Sequence, residues 1–200
     1  NKSDLKPPSF KETILENKKT FTIGGSGHFI MQFLRQCRHV LIPIWAFSIC
    51  LGVEELGLIQ SISAALDMTL FYHVGLIMDK FGRKWTSVPS IILLSSGFIF
   101  MTYVDTFTGL MIVGLLLGFA NGLGSGAMLT LGSDLSPKKQ PGSFLGIWRL
   151  FGWSGNSAGG PISGAVAQTL GNTASALSVS TIGVIGVIIF TFLLPETLKE

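Results

Sequence analysis

The chain has 200 residues, 48% of them hydrophobic and 12% charged, with a net charge of +3, where a soluble domain carries roughly 25% charged residues. Such a composition excludes an ordinary soluble domain and points to a membrane chain. Twenty-five glycines and four tryptophans without a collagen-like period exclude a fibrous or low-complexity protein, and the basic balance marks a cytoplasmic side rather than a nucleic-acid partner.

Residues 1–20 form a polar tail holding Lys2, Lys6, Lys11, Lys18 and Lys19. No signal peptide is visible in it, and the Asn1 start reads as a piece of something longer. A helix needs about 20 apolar residues to cross a bilayer. Six stretches qualify, at about 21–47, 56–78, 86–104, 107–132, 144–168 and 174–194, followed by a short tail at 195–200.

The breaks alternate in character. Those after the second and fourth stretches carry Lys80, Arg83, Lys84 and Lys138, Lys139, whereas those after the first, third and fifth carry Glu54, Glu55 and Asp105 without any Lys or Arg. With the five lysines of the first tail and Lys199 of the last, eleven positive residues fall on one side and none in the opposite loops. The positive-inside rule makes both ends cytoplasmic. A soluble bundle of buried helices would need this asymmetry to be accidental.

The first stretch holds His28, Gln32, Arg35 and His39. Their spacing of four, three and four places them on one helix face within roughly 60°. Such a face cannot look at lipid. Arg38 lies on its flank, and Pro43 predicts a break or kink within a turn. The second stretch carries Asp67 near its midpoint, where a lone carboxylate protonates or finds a cation. Arg35 and Arg38 are the candidates. The pair has two readings, a structural tie between helices or participation in substrate or proton handling. His73, further along, reads as a polar pore or interface residue. Cys37 and Cys50 give neither a disulfide framework nor a metal spacing and read as packing residues. No phosphate loop, metal-ligand spacing or nucleophile elbow occurs. The expectation is a protein that is not an enzyme, needs no cofactor or metal, and is not driven directly by ATP.

After the second stretch the chain reads Gly75-Leu-Ile-Met-Asp79-Lys80-Phe-Gly82-Arg83-Lys84. This run resembles the signature of the major facilitator superfamily, G-x-x-x-D-[R/K]-x-G-R-[R/K], at every specified position. Gly75 would permit close helix packing and Gly82 a tight turn. Asp79 would accept hydrogen bonds from a neighbouring helix N-terminus, as a latch. The basic residues also serve as a topology signal. Gly114, Gly118 and Gly122 form a G-x-x-x-G-x-x-x-G ridge in the fourth stretch. Gly155, Gly159, Gly160, Pro161 and Gly164 are similar to the G-x-x-x-G-P-x-x-G element of facilitator antiporters. Small-residue spacing implies packing, and Pro161 frees a backbone carbonyl.

Leu194-Pro195-Glu196-Thr197 resembles the P-E-T run after the last helix of such transporters, and the fourth stretch lacks the intramembrane Arg usual in the N-terminal half. Together these imply the C-terminal half, with residues 1–20 ending the central cytoplasmic loop. The resemblance also places Asp134 and Arg149 in a gating network with Asp79 and Arg83, although Arg149 could snorkel to the interface without a partner. Pro141-Gly142 stands where the family often has Arg-Gly.

The implied fold is an all-α membrane protein, six transmembrane helices forming one half of a two-bundle architecture with substrate held between the halves near the midplane. The implied function is secondary active transport of a small solute by alternating access, with proton-coupled efflux like that of drug:proton antiporters as the leading form. A facilitated uniporter or a sugar-type transporter half is the alternative within transport. A membrane scaffold or receptor on the same fold is the alternative outside it. Implied partners are the solute, protons, membrane lipid and a second six-helix bundle, either a missing N-terminal half or a second copy.

Overall fold

The computed structural model describes residues 10–138 and 141–193. Lys2, Lys6, Lys139, the Leu194-Pro195-Glu196-Thr197 run and the 195–200 tail lie outside the described residues. Two short helices, α1 (Phe10–Glu16) and α2 (Lys18–Thr20), lead through a π-helical turn at Phe21–Gly25 into α3 (Ser26–Ser48). There follow α4 (Val53–Phe81), α5 (Lys84–Met101), α6 (Phe107–Gly124), α7 (Ala127–Leu135), α8 (Pro141–Leu170) and α9 (Asn172–Ile188), the last ending in a second π-helical turn, Ile189–Leu193. The described residues contain no strand. The tail is thus partly helical, and α1 tucks Thr13 against the bundle.

Four helical runs are long and apolar enough to cross a membrane, namely Val53–Phe81, Lys84–Met101, Phe107–Leu135 and Asn172–Leu193. The chain has the character of an integral membrane protein. Helices α3 and α8 have 23 and 30 residues, which is also enough length at 1.5 Å per residue. Their polar and small residues keep them less apolar. These are the two helices that pack most closely on each other, and α3 also lies against α9, α6 and α5. Helix α4 packs on α6, and α5 on α6 and α9.

In a bilayer the lipid tails are as apolar as leucine, so helix association rests on close van der Waals fit and interhelical hydrogen bonds. The Gly114–Gly118–Gly122 ridge supplies both. A Cβ at Gly118 would stand 2.5 Å from the Ser63 carbonyl oxygen, and one at Gly122 would stand 2.8 Å from Leu70. Ser63 Oγ donates to the Gly114 carbonyl at 2.7 Å, sealing α4 to α6. On α8, Gly155 lies against the Phe29 backbone, and a Cβ at Gly159 would meet the Phe33 carbonyl at 2.8 Å. Gly160 has ordinary contact with Val40.

Several expectations are corrected. Gly75 and Gly164 have nothing within 4 Å of the point where a Cβ would stand, so neither mediates close packing within this bundle. Pro43 does not break α3, which remains helical to Ser48. Pro161 also sits inside a continuous helix, α8, which leaves the expectation of a freed backbone carbonyl as it was. Cys37 is buried and packs, with Sγ donating to the Gly159 carbonyl at 3.5 Å. Cys50 is exposed in the turn after α3, at φ 62°, and is not a packing residue.

The fourth stretch is not one helix. Gly126 adopts φ 79°, a left-handed conformation that glycine enters without steric cost, and the chain restarts as α7. The break frees backbone groups beside Asn121 and Ser125, and it is the feature of the fold that most directly shapes the polar centre.

Candidate functional site

Arg35 and Arg38 project from α3, Asp67 from α4, and Asn121 and Ser125 from the end of α6. Arg38 Nη2 lies 3.7 Å from Asp67 Oδ2, with the side chains 6% and 14% exposed. Arg38 Nη1 donates to the Leu117 carbonyl at 3.3 Å. Arg35 takes neutral acceptors instead. Its Nε donates to Asn121 Oδ1, its Nη1 to Gln32 Oε1 at 3.3 Å, and its Nη2 to the Asn121 carbonyl at 3.3 Å and Ser125 Oγ at 2.7 Å.

Asn121 Nδ2 donates to Asp67 Oδ2. An arginine only donates and a carboxylate only accepts, so the amide of Asn121 has one orientation that satisfies both. The four groups form a chain, Arg35–Asn121–Asp67–Arg38. Ser125 Oγ is 3.0 Å from the Asn121 carbonyl and 3.5 Å from Asp67 Oδ1. Its single proton favours the shorter contact.

Of the two candidate partners for Asp67, Arg38 makes the direct ion pair and Arg35 reaches the carboxylate through Asn121. Sequence pattern alone does not single out Asn121 and Ser125. The available signal is an amide alone in an apolar segment, one residue before a ridge glycine.

Two cavities adjoin this centre, both lined by Gln32 and Arg35. One, of about 250 Å³, is further lined by His28, Met128, Trp148, Arg149 and Trp153. The other, of about 270 Å³, is lined by Gln36, His39, Asn121 and Asn156. His28 is buried, hydrogen-bonds through Nδ1 with the Trp148 carbonyl at 3.1 Å, and stacks on the Trp148 ring at 5.1 Å between centroids. Trp148 Nε1 in turn donates to the Met128 carbonyl at 2.9 Å. The face read from the sequence as His28, Gln32, Arg35 and His39 therefore turns toward cavities. His73 is exposed on α4, within 3.3 Å of the Thr69 carbonyl, and away from the cluster.

A second charged cluster stands where α4 turns into α5. Arg83 Nε donates to Asp134 Oδ2 at 3.0 Å, and Nη1 donates to the Met78 carbonyl at 2.7 Å and to Asp79 Oδ1 at 3.2 Å. Gly82, at φ 100°, makes the turn. Lys80 Nζ lies 5.2 Å from the Phe81 ring centroid, and Lys84 Nζ donates to the Thr191 carbonyl at 3.3 Å. Arg149 does not join Asp79, Arg83 and Asp134. It is exposed and borders the His28 cavity instead.

A helical membrane bundle whose apolar body encloses a hydrogen-bonded cluster of two arginines and a carboxylate beside polar cavities has the construction of a solute-handling membrane protein. Compared with known families, residues 25–200 match the Major Facilitator Superfamily, and the chain belongs to that superfamily of membrane transporters. No curated protein matches it.

Proposed function

We propose that the chain is the C-terminal six-helix half of a secondary transporter that moves a small solute by alternating access against a second bundle, coupled to protons through Asp67. The observation that carries this reading is the Arg35–Asn121–Asp67–Arg38 chain. Charged groups near the middle of apolar spans are costly, at roughly 2.5–3.5 kcal/mol each on insertion scales. Here Arg35 and Asn121 line cavities, and the buried Arg38–Asp67 pair stands directly behind them. The broken helix at Gly126 supports the same reading, because irregular backbone at membrane depth is tolerated where it lines a cavity.

The partner bundle would lie along α4 and α8. Gly57 and Gly75 on α4, and Gly142, Gly146 and Gly164 on α8, have open space where a Cβ would stand. Helix α4 also exposes Leu58, Met68, Phe71 and Leu76. In this reading α3 and α8 span along with the four more apolar runs, and both ends of the chain are cytoplasmic. Asp79, 77% exposed, remains available to a helix of the second bundle as the latch. Reporter fusions at Lys84 and Gly171 then give opposite sides, and the same side for both would remove the six-span topology.

The test of function is uptake of labelled solutes by proteoliposomes of the full-length protein, with and without an imposed pH gradient. A gradient of one unit supplies about 1.4 kcal/mol per proton, equivalent to about tenfold accumulation for one coupled proton. Asp67→Asn abolishes that accumulation. One observation favours a facilitated uniporter: Asp67 already holds Arg38 and Asn121 as partners, which suits a permanently charged carboxylate. Equal uptake with and without the gradient gives that second reading. No uptake of any solute removes transport altogether.

A further inference from the structure

The charges of the polar centre do not cancel. Arg35 and Arg38 face one carboxylate, and Asp67 gives its ion pair to Arg38. Arg35 makes four hydrogen bonds, all to neutral oxygens. A guanidinium has five N–H groups, so one Nη1 proton is left unclaimed among the described residues. Arg149, exposed and without an ion pair among the described residues, borders the same cavity. Among the described residues no carboxylate lines either cavity. Both cavities therefore present positive and hydrogen-bonding groups between walls of low dielectric, which focus field lines into the opening.

The wall beside these groups is of a different kind. Met128, Leu129, Trp148 and Trp153 border the His28 cavity. We infer that the solute of this transporter is a small organic anion, its carboxylate or phosphate group held by Arg35 and Gln32 and its apolar body laid against Met128, Leu129, Trp148 and Trp153. The inference rests on the transport reading and adds the substrate class. A planar fork of N–H donors matches two oxygens of an oxyanion at once. A cationic or uncharged solute leaves Arg35 without a counter-charge. A phospholipid headgroup shares the oxyanion chemistry and is separated from a free solute by the choice of bilayer.

The experiment uses the full-length protein in phosphatidylcholine nanodiscs, with saturation-transfer NMR of three probes of one shape: benzoate, benzamide and benzylamine. Benzoate receives saturation, while benzamide and benzylamine receive at most a tenth as much. Arg35→Gln weakens benzoate binding about ten- to a hundredfold, the range for a hydrogen bond to a charged group. Arg149→Gln alters an exposed side chain and leaves the fold in place. It weakens benzoate about two- to fivefold. Benzylamine bound better than benzoate, benzoate unaffected by both variants, or no benzoate signal overturns the inference. A benzoate signal that vanishes in phosphatidylglycerol nanodiscs assigns the site to a lipid phosphate and also overturns it. Labelling of Gln32→Cys by a water-soluble maleimide separates the two layers. A labelled Gln32→Cys beside an unmodified protein that binds no benzoate fails the anion inference alone, whereas an unlabelled one fails the transport reading beneath it.

Discussion

The two charged clusters are built from the same residue types and differ in everything else. At the centre, Arg38 and Asp67 are 6% and 14% exposed and lie 3.7 Å apart. At the end of the bundle, Arg83 reaches Asp134 at 3.0 Å and Asp79 at 3.2 Å, yet those carboxylates are 29% and 77% exposed. The shorter contacts are the weaker ones in free energy, because water and salt screen them. The longer contact sits where an unpaired charge has no good alternative. Geometry alone would rank the pairs the wrong way round. Solvent access ranks them.

The largest effect should follow from breaking the central pair on one side. Arg38→Gln alone, or Asp67→Asn alone, costs about 3 kcal/mol, near the lower end for a buried pair because Asp67 keeps some exposure. Thermal unfolding of the purified full-length protein measures it. The double change Arg38→Gln with Asp67→Asn recovers most of the loss in folded yield, since neither member of the ion pair is left without the other. If transport returns with it, the pair is a structural tie; if folding returns without transport, the pair handles solute or protons. Losses that simply add would show that the 3.7 Å contact carries no coupling.

A smaller effect is expected at the end of the bundle. Arg83→Gln removes donors to Asp134, Asp79 and the Met78 carbonyl, at a cost of about 1–2 kcal/mol. In 0.5 M salt, where the screening length falls to a few ångströms, the gap to the unmodified protein narrows. The central variants show no such narrowing. Equal salt sensitivity at both sites would erase the distinction between them.

The smallest effect on stability belongs to Asp79→Asn, within about 0.5 kcal/mol for so exposed a group. Its effect on transport is expected to be larger. A latch contact of about 1–3 kcal/mol formed in one arrangement of the two bundles shifts their populations roughly five- to a hundredfold. Unchanged transport in this variant removes the latch.

Much of the helical character was legible because the bilayer constrains it. Apolar length and charged breaks leave few alternatives to helices, and the helices occupy those lengths. The polar face of α3 was also legible, since a period of 3.6 puts His28, Gln32, Arg35 and His39 together whatever surrounds them. The break at Gly126 was not, because Gly126 lies just beyond the Gly114–Gly118–Gly122 ridge, inside an apolar run that reads as one span. Without that break Asn121 and Ser125 stay hidden as bridging groups. Periodicity also could not place Arg149, whose neighbours are decided by how α8 is rotated against α3.

In the proposed transport cycle the α3 polar face borders a water-filled path and not a fixed protein contact. The most direct test is labelling of Gln32→Cys and His39→Cys in the full-length protein by a membrane-impermeant maleimide added to one side of the membrane at a time, with Leu177→Cys on the exposed side of α9 as the lipid-facing control. Both α3 positions are expected to react, the side from which Gln32→Cys reacts faster to change when a transported solute is added, and Leu177→Cys to stay unlabelled. Protection of both α3 cysteines from both sides would contradict a water-filled path and leave a scaffold or receptor on this fold.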